Sequence, residues 1–288
     1  MKRTILITAF MINVASVSLA HEGPRIWIGN VDDKLTTFRS DDDLAPSDYT
    51  PCRLFRGEME SFFNVFTTEF PGYEVLQSGG NIPSGTTFRF DITGPALYFD
   101  EINGAFASTT DIFGPPEPGP IPELALSLEA MLRVTGDQPV SGFDFFTFFA
   151  IGDHSHLSYT LLGDGETASD GPSGVYAVSM MLSCDALETS DTYYLLLGKD
   201  VAISDPMFDA AFDVAKETLI GLGKPGDMDC SGEIDGNDVS DFITAVLTSD
   251  SSDEPAGCCN VLTADMNQDQ EVDGLDISSF VDELFSQP

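Results

Sequence analysis

Two acidic loops near the end of the chain form a repeat that restricts its fold more than any other sequence feature. The first loop runs from Asp227 to Asp238 and the second from Asp265 to Asp276, an offset of 38 residues. Oxygen-bearing side chains occupy positions 1, 3, 5, 9 and 12 of both loops. Calcium takes roughly six to eight oxygen ligands, and position 7 donates its backbone carbonyl. The spacing therefore predicts two bound calcium ions. The predicted ligands are Asp227, Asp229, Ser231, Glu233, Asp235, Asp238, Asp265, Asn267, Asp269, Glu271, Asp273 and Asp276.

An amphipathic helix is predicted after each loop, because apolar residues recur there at helical spacing. Phe242 and Phe280 lie at equal distances from their loops, and Ile234 and Val272 at position 8 can pair between the loops. One such loop would be a weak signal, since Asp and Gly are common in surface turns. Two in tandem favour calcium, and we expect the module to be partly unfolded without the metal because its carboxylates repel one another.

Residues 226–288 resemble a type I dockerin, a calcium-binding module with two EF-hand-like loops that attaches secreted polysaccharide-degrading proteins to cohesin domains. The resemblance rests on both loops and on Asp238 and Asp276, which close them where most EF-hands have Glu. It implies a small all-α domain and a cohesin-like or cell-surface protein as partner. The sequence departs from the family at Gln270, which replaces a glycine, and at positions 10 and 11 of both loops, where Ser/Thr pairs are usual.

The charge of the chain excludes several partners. It carries 48 Asp and Glu against 12 Lys and Arg, a formal net charge of −36. Such a chain repels nucleic-acid phosphates and anionic lipid. Hydrophobic residues make up 42% and 22 residues are Phe, so a folded core is expected rather than disorder. No Lys or Arg follows Lys224, although 16 acidic residues do, which indicates a domain boundary.

The first 20 residues are predicted to be a secretory signal peptide. Lys2 and Arg3 precede an apolar stretch from Ile5 to Leu19, and small residues end at Ala20. The stretch is too short and too polar for a membrane anchor. The mature protein is therefore expected to be secreted and extracellular, without a membrane span.

Residues 21–223 are predicted to form an all-β sandwich or jelly roll. Four stretches rich in β-branched and aromatic residues read as strands, and Gly, Pro, Asn and Asp separate them. These stretches are Arg25–Ile28, Thr86–Ile92, Ala125–Leu132 and Val175–Leu182. Tyr193–Leu197 reads as a strand buried on both faces, and Pro206–Leu219 as a helix.

The five cysteines suggest disulfides, because an exported protein meets an oxidising compartment. Their positions favour pairing of Cys52 with Cys184, and of Cys230 with Cys258 or Cys259. One cysteine is left over, and the connectivity cannot be deduced from the sequence alone.

Three histidines suggest a second metal site. His154 and His156 stand two residues apart, so on a strand they point to one face and could share a metal. The stretch around them, with Gly174-Val175-Tyr176-Ala177-Val178, faintly resembles bacterial surface-anchored β-sandwich repeats. Cleavage after Ala20 would place His21 at the N-terminus, which is similar to the copper site of lytic polysaccharide monooxygenases. Simple surface imidazoles are the alternative.

Two functions follow from these patterns. The first is an exported calcium-binding protein whose dockerin-like module docks a β-sandwich domain to a partner protein or surface complex. The alternative is a secreted polysaccharide-active enzyme, a glycosidase or a copper monooxygenase, with polysaccharide as partner. No catalytic residue is predicted, because the sequence has no nucleophile elbow, P-loop or His-Glu-x-x-His motif.

Overall fold

The computed structural model describes most of the chain beyond the predicted signal peptide. The described residues are 25–40, 49–62, 65–69, 71–76, 82–114, 121–150, 152–163, 171–220, 225–228, 234–248, 261–267 and 272–286. Strands account for 43% and helices for 21% of these described residues, which are therefore mostly β. We call residues 25–220 the β-rich region and residues 225–286 the C-terminal segment.

The β-rich region contains all the described strands. They are β1 (Arg25–Val31), β2 (Lys34–Ser40), β3 (Tyr49–Pro51), β4 (Leu54–Phe62), β5 (Val65–Thr68), β6 (Gly72–Val75), β7 (Thr87–Ile92), β8 (Leu97–Asp100), β9 (Ala105–Ser108), β10 (Glu123–Leu128), β11 (Met131–Val134), β12 (Val140–Thr147), β13 (His154–Ser155), β14 (Ser158–Leu162), β15 (Gly174–Ser183) and β16 (Tyr193–Lys199).

The smaller sheet has five strands in the order β13-β6-β1-β2-β3. β1 and β2 form an antiparallel hairpin, whereas β1 and β6 are parallel. The hairpin turn consists of Asp32 and Asp33, both with positive φ. Acidic and amide residues tolerate this left-handed conformation, which matches the twist of two-residue hairpins.

The larger sheet follows the order β11-β10-β14-β5-β4-β16-β15-β7-β12, with β8 and β9 attached through β15. β4 joins its two halves. Leu54 to Met59 pair in parallel with β16, and Glu60 to Phe62 pair antiparallel with β5. The strand therefore belongs to both halves, and its residues fix their relative register.

An apolar core fills the β-rich region. In β7, Phe88, Phe90 and Ile92 are fully buried and alternate with more exposed residues, as a strand with one face on a core requires. Tyr193–Leu197 lies in β16 and is buried along nearly its whole length, so the prediction of a strand buried on both faces is confirmed. Phe90 makes edge-to-face contacts with Phe143 and Phe145 of β12.

One predicted strand is two strands in the structure. Ala125–Leu132 spans most of β10 and the start of β11, which pair as a hairpin. The reversal takes place at Glu129, whose φ is +52°. Neither Gly nor Asn marks this turn, so the sequence pattern gave no sign of the break.

The described helices are few. They are α1 (Thr109–Phe113), α2 (Pro206–Ala215), α3 (Asp238–Thr248) and α4 (Asp276–Leu284), with a π-helix at Lys216–Ile220 and a 3-10 helix at Val261–Ala264. The helix predicted at Pro206–Leu219 is confirmed as α2 and its π-helical continuation. Asp205 caps it, because its side chain accepts a hydrogen bond from the Met207 N–H, and Pro206 takes the first helical turn.

The predicted all-α C-terminal domain is wrong. The described part of the C-terminal segment contributes two α-helices and one 3-10 turn, and no small all-α domain is evident in this mostly β chain. The physical reason is the size of its core. Among the described residues it contains six buried apolar side chains, Met228, Ile234, Phe242, Ala245, Ala264 and Phe280. Helical periodicity predicted the helices, but it does not measure whether enough apolar surface is available for a separate domain.

Two further expectations concern cysteines and membranes. Cys184 is a free thiol, so the predicted pair with Cys52 does not form. Cys230, Cys258 and Cys259 lie outside the described residues, as do residues 1–20 of the predicted signal peptide. No helix in the described part of the chain is long and apolar enough to cross a membrane.

Candidate metal centre

Seven of the twelve predicted calcium ligands are described. They are Asp227, Asp235, Asp238, Asp265, Asn267, Asp273 and Asp276. The other five, Asp229, Ser231, Glu233, Asp269 and Glu271, lie outside the described residues. The structure thus describes the beginning and the end of each loop.

The first loop closes on Asp238, which begins α3 and is fully buried. Its Oδ1 accepts a hydrogen bond from the Met228 N–H at 2.7 Å, and its Oδ2 accepts one from the Asp235 N–H at 2.7 Å. Asp235 in turn accepts a hydrogen bond from the Asn237 N–H at 2.7 Å. One carboxylate therefore ties the start of the loop to its end, and Asp227 beside it is also fully buried.

The second loop closes in the same way on Asp276, the first residue of α4, which is also fully buried. Its Oδ2 accepts a hydrogen bond from the Asp273 N–H at 2.9 Å, and its Oδ1 accepts one from the Asn267 N–H at 3.1 Å. Asp273 accepts a hydrogen bond from the Leu275 N–H at 2.7 Å. Two of these contacts have a counterpart 38 residues earlier in the first loop, so the sequence repeat is also a repeat of local geometry.

The two loops differ at the contact with their closing aspartate. Met228 is position 2 of the first loop, whereas Asn267 is position 3 of the second. In the second loop the residue at position 2, Met266, instead donates its N–H to the Ala264 carbonyl at 2.9 Å. Position 3 of the first loop, Asp229, lies outside the described residues.

A shared apolar core holds the loops close together. The Phe242 and Phe280 rings stack, with centroids 3.9 Å apart and planes inclined by 7°. Ile234 from the first loop is buried in the same cluster, and Val272 from the second packs against it. The Gly226 N–H also donates to the Thr263 carbonyl at 2.7 Å. These contacts place the two acidic loops beside one core.

The charges of the C-terminal segment are all of one sign. Residues 225–288 contain 16 Asp and Glu and no Lys, Arg or His. Asp227, Asp238 and Asp276 are fully buried, and Asp265 is almost so. A buried carboxylate is costly unless a positive charge and hydrogen bonds compensate it. Oxygen donors without soft or imidazole ligands suit a hard divalent cation.

Among the described residues, no group of three or more His, Cys, Asp or Glu side chains is placed to hold a metal ion. Positions 3 to 7 of the first loop and 4 to 7 of the second are outside that part of the chain. The fit to calcium therefore rests on the buried carboxylates at the ends of the loops.

A polar cluster in the β-rich region was not predicted. The hydroxyls of Tyr73, Tyr159 and Tyr193 meet in the core, where all three side chains are fully buried. The Tyr73 hydroxyl lies 2.7 Å from that of Tyr159 and 3.0 Å from that of Tyr193. Burial raises the pKa of Tyr73 to about 12 and raises the pKa of the other two well above the usual value. The three residues are far apart in sequence, so no local pattern could have grouped them.

The three histidines are only partly described. His154 and His156 are neighbours, with ring centroids 5.3 Å apart. His21 lies outside the described residues. The proposed meeting of all three is therefore untested.

Comparison with known proteins adds little. No protein-family model matches the chain, and no curated protein matches it. The chain is similar over 51% of its length to the CooA pilin subunit from enterotoxigenic Escherichia coli, covering 88% of that chain, with 8% identity and a TM-score of 0.24. It is similar over 51% of its length to a family 123 glycoside hydrolase from Clostridium perfringens, covering 22% of that chain, with 9% identity and a TM-score of 0.19. At these TM-scores neither likeness carries an argument.

Proposed function

We propose that this protein is an exported calcium-binding protein whose C-terminal segment attaches the β-rich region to a partner protein or surface complex. The observation that carries the calcium proposal is the pair of fully buried closing residues, Asp238 and Asp276, in a segment without any basic residue. Each receives two backbone hydrogen bonds from its own loop. These hydrogen bonds orient the carboxylates, and a bound cation would balance negative charge in a segment that has no basic residue of its own.

The residues that would hold the ions are the twelve predicted ones. In the first loop they are Asp227, Asp229, Ser231, Asp235 and Asp238, with Glu233 through its backbone carbonyl. In the second they are Asp265, Asn267, Asp269, Asp273 and Asp276, with Glu271 in the same way. A bound divalent cation supplies positive charge to each loop. The chain contributes the oxygen donors and the core that keeps the loops close together.

Calcium titration by calorimetry tests this proposal directly. The full mature chain should bind two calcium ions per molecule. Asp276→Asn should remove one of them, because it removes the charge that closes the second loop. Asp282→Asn is the matched control, since it neutralises an exposed acid in the same helix. Two ions bound by Asp276→Asn, or none by the unmodified chain, would refute the proposal.

The docking proposal rests on exposed apolar side chains. Six of the ten large apolar residues exposed in the described part of the chain belong to the C-terminal segment, and they are Ile243, Leu247, Leu275, Ile277, Val281 and Phe285. Residues four apart lie on one face of a helix, so Ile243 with Leu247, and Ile277 with Val281, form apolar stripes. Exposed patches of this kind mark interaction sites more often than inert surface.

A capture experiment tests the docking proposal. The immobilised full chain should retain a surface protein of the source cell in calcium and release it when a chelator is added. Ile277→Ser combined with Val281→Ser should abolish capture, because both changes remove apolar contact area. Ile102→Ser is the control, since Ile102 is 95% exposed but belongs to the β-rich region. Equal capture by all three proteins would refute docking through these helices.

A polysaccharide-active enzyme is not proposed. That alternative rests on the resemblance of the loops and on the position of His21, and no contact among the described residues favours it.

A further inference from the structure

Two histidines lie side by side at one edge of the five-stranded sheet. β13 contains His154, and His156 follows one residue after the strand ends. β13 pairs antiparallel with β6, which places His154 opposite Glu74 and Ser155 opposite Tyr73. The two imidazole rings have centroids 5.3 Å apart and are inclined by 87°. The pair is part of the β-rich region and separate in sequence from the acidic loops.

Each of the two imidazole rings is oriented by a hydrogen bond from its own Nδ1 to a backbone carbonyl. Nδ1 of His154 lies 3.3 Å from the Gly152 carbonyl oxygen, and Nδ1 of His156 lies 2.9 Å from the Glu69 carbonyl oxygen. A carbonyl oxygen only accepts hydrogen bonds, so Nδ1 must donate in each ring. In a neutral imidazole the lone pair is then on Nε2. Histidines that bind metals are typically held in this way, with the other ring nitrogen donating to a carbonyl or carboxylate.

The separation of the rings fits a shared ion. A tetrahedral ion bound through Nε2 lies about 2.0–2.1 Å from each nitrogen, and each ring centre lies about 1.1 Å farther back. Two such rings at the tetrahedral angle have centres about 5 Å apart. The observed 5.3 Å agrees with this separation.

Gly72 in β6 sets the position of one ring. A Cβ added at Gly72 would lie 2.6 Å from Cε1 and 2.9 Å from Nδ1 of His156. Both distances are too short for an unshifted contact, so a larger residue would push the ring away. Gly72 is therefore a positioning residue for His156.

From these contacts we propose that His154 and His156 bind a divalent transition-metal ion such as Cu²⁺ or Zn²⁺. Imidazole nitrogen suits these ions, whereas calcium prefers oxygen, so this site is independent of the proposed calcium loops. No group of three ligand side chains occurs among the described residues. The described pair thus supplies two ligands, and water or an external ligand can complete the coordination. The high net negative charge of the chain raises the local concentration of cations around it.

Titration of the calcium-saturated full chain with Cu²⁺, and separately with Zn²⁺, tests the proposal. One ion per chain should bind, and His154→Ala and His156→Ala should each remove it. His21→Ala is the matched control, because it removes the remaining histidine, and it should bind like the unmodified chain. Gly72→Ala should weaken binding by about tenfold, as second-shell changes do, while both histidines remain. Thermal unfolding of each variant shows that it is folded.

Two results would overturn the proposal. The first is no binding of either ion by the unmodified chain. The second is an equal partial loss in all three histidine variants, which would indicate independent binding to single imidazoles. X-ray absorption of the copper-loaded chain should detect two imidazole nitrogens. Asp276→Asn should leave copper binding unchanged, so failure of the calcium proposal is distinguishable from failure of this one.

Discussion

The β-rich region and the C-terminal segment both bury polar side chains, but they balance them differently. In the β-rich region, Tyr73, Tyr159 and Tyr193 are neutral and satisfy one another through their hydroxyls. The buried charges there also have opposite charges nearby. Glu74 forms an ion pair with Arg25, and Lys199 lies 3.7 Å from Asp200 and donates to the Gly171 carbonyl.

The C-terminal segment buries carboxylates instead. Asp227, Asp238 and Asp276 are fully buried, yet no basic residue occurs between Pro225 and the end of the chain. Its apolar core has six buried side chains, against several dozen in the β-rich region. The β-rich region supplies opposite charges to its own buried ions, whereas under the calcium proposal a cation from solution supplies them to the C-terminal segment. Four predictions test this difference, from the largest expected effect to the smallest.

High pH should destabilise the β-rich region strongly. Tyr73 has a pKa near 10.0 when unfolded and about 12 when folded, so its stabilising effect is complete below pH 10 and is lost as the pH rises toward 12. The pKa of Tyr159 and Tyr193 is raised in the same direction by burial. These three groups alone should lower the free energy of unfolding by up to about 4 kcal/mol per pH unit above pH 10. Burial also raises the pKa of Tyr98, Tyr176 and Tyr194, which add to the slope in the same direction.

Urea unfolding between pH 8 and pH 12 measures this slope. Tyr73→Phe is the control, because it removes one titrating group and should reduce the slope by up to about 1.4 kcal/mol per pH unit. A free energy of unfolding that does not change between pH 9 and pH 11.5 would contradict the neutral tyrosine cluster.

Removal of calcium should affect the C-terminal segment and spare the β-rich region. At a calcium concentration one hundred times Kd, each ion should stabilise the folded state by about 2.7 kcal/mol, and a chelator should remove that contribution. Trp27 is the only tryptophan and is buried in the β-rich region, so its fluorescence reports on that region alone. Helical circular dichroism should decrease on chelation while the Trp27 emission stays the same. A simultaneous change in both signals would contradict the expectation that calcium removal spares the β-rich region.

Removal of one hydroxyl from the tyrosine cluster should have a smaller effect. Tyr73 contacts both other hydroxyls, so Tyr73→Phe leaves two buried groups with fewer partners and should cost about 1–3 kcal/mol. Tyr193→Phe should cost less, because Tyr193 bonds to Tyr73 and has only a weak 3.9 Å contact with the Met180 sulfur. Denaturant midpoints of the two variants give the order. The reverse order would show that Tyr73 is not the centre of the cluster.

The smallest effect is expected at the surface. Lys34 Nζ lies 2.7 Å from both carboxylate oxygens of Asp191, but both side chains are more than a third exposed. Lys34→Met should therefore cost about 0.2–1 kcal/mol at low salt, and the difference should vanish at high salt. Thermal unfolding at two salt concentrations measures it. A larger, salt-independent loss would mean that Lys34 contributes through packing.

Local sequence patterns predicted local structure well. The spacing of Phe208, Ala211, Phe212, Ala215 and Leu219 predicted one apolar helix face. The first four are buried in α2, and Leu219 is partly buried in the π-helix that follows. The acidic loop pattern predicted that a helix follows each loop, and α3 and α4 begin at Asp238 and Asp276. These features depend on neighbours within a few turns of the chain, which is the range that periodicity covers.

Long-range structure could not be predicted in the same way. The tyrosine cluster joins residues 86 and 120 positions apart, and nothing local to each tyrosine indicates its partners. The left-handed turn at Glu129 also lacks the usual Gly or Asn. Location in the same predicted domain was a poor guide to cysteine pairing, because Cys184 is free and pairing depends on tertiary position. The prediction of an all-α C-terminal domain was wrong because helical periodicity does not measure the size of the apolar core.

β4 pairs with β16 in one half of the larger sheet and with β5 in the other, and this affects the order of folding. Its first six residues pair in parallel with β16, about 140 positions later in the chain, so the ends of this loop must meet before the larger sheet is complete. Contacts of such high sequence separation make folding slow. A nascent chain that ends before Tyr193 lacks β16, with which β4 pairs in parallel. The pairing of β4 is therefore delayed until β16 has been synthesised. The β-rich region can therefore finish folding only after nearly all of it has been synthesised.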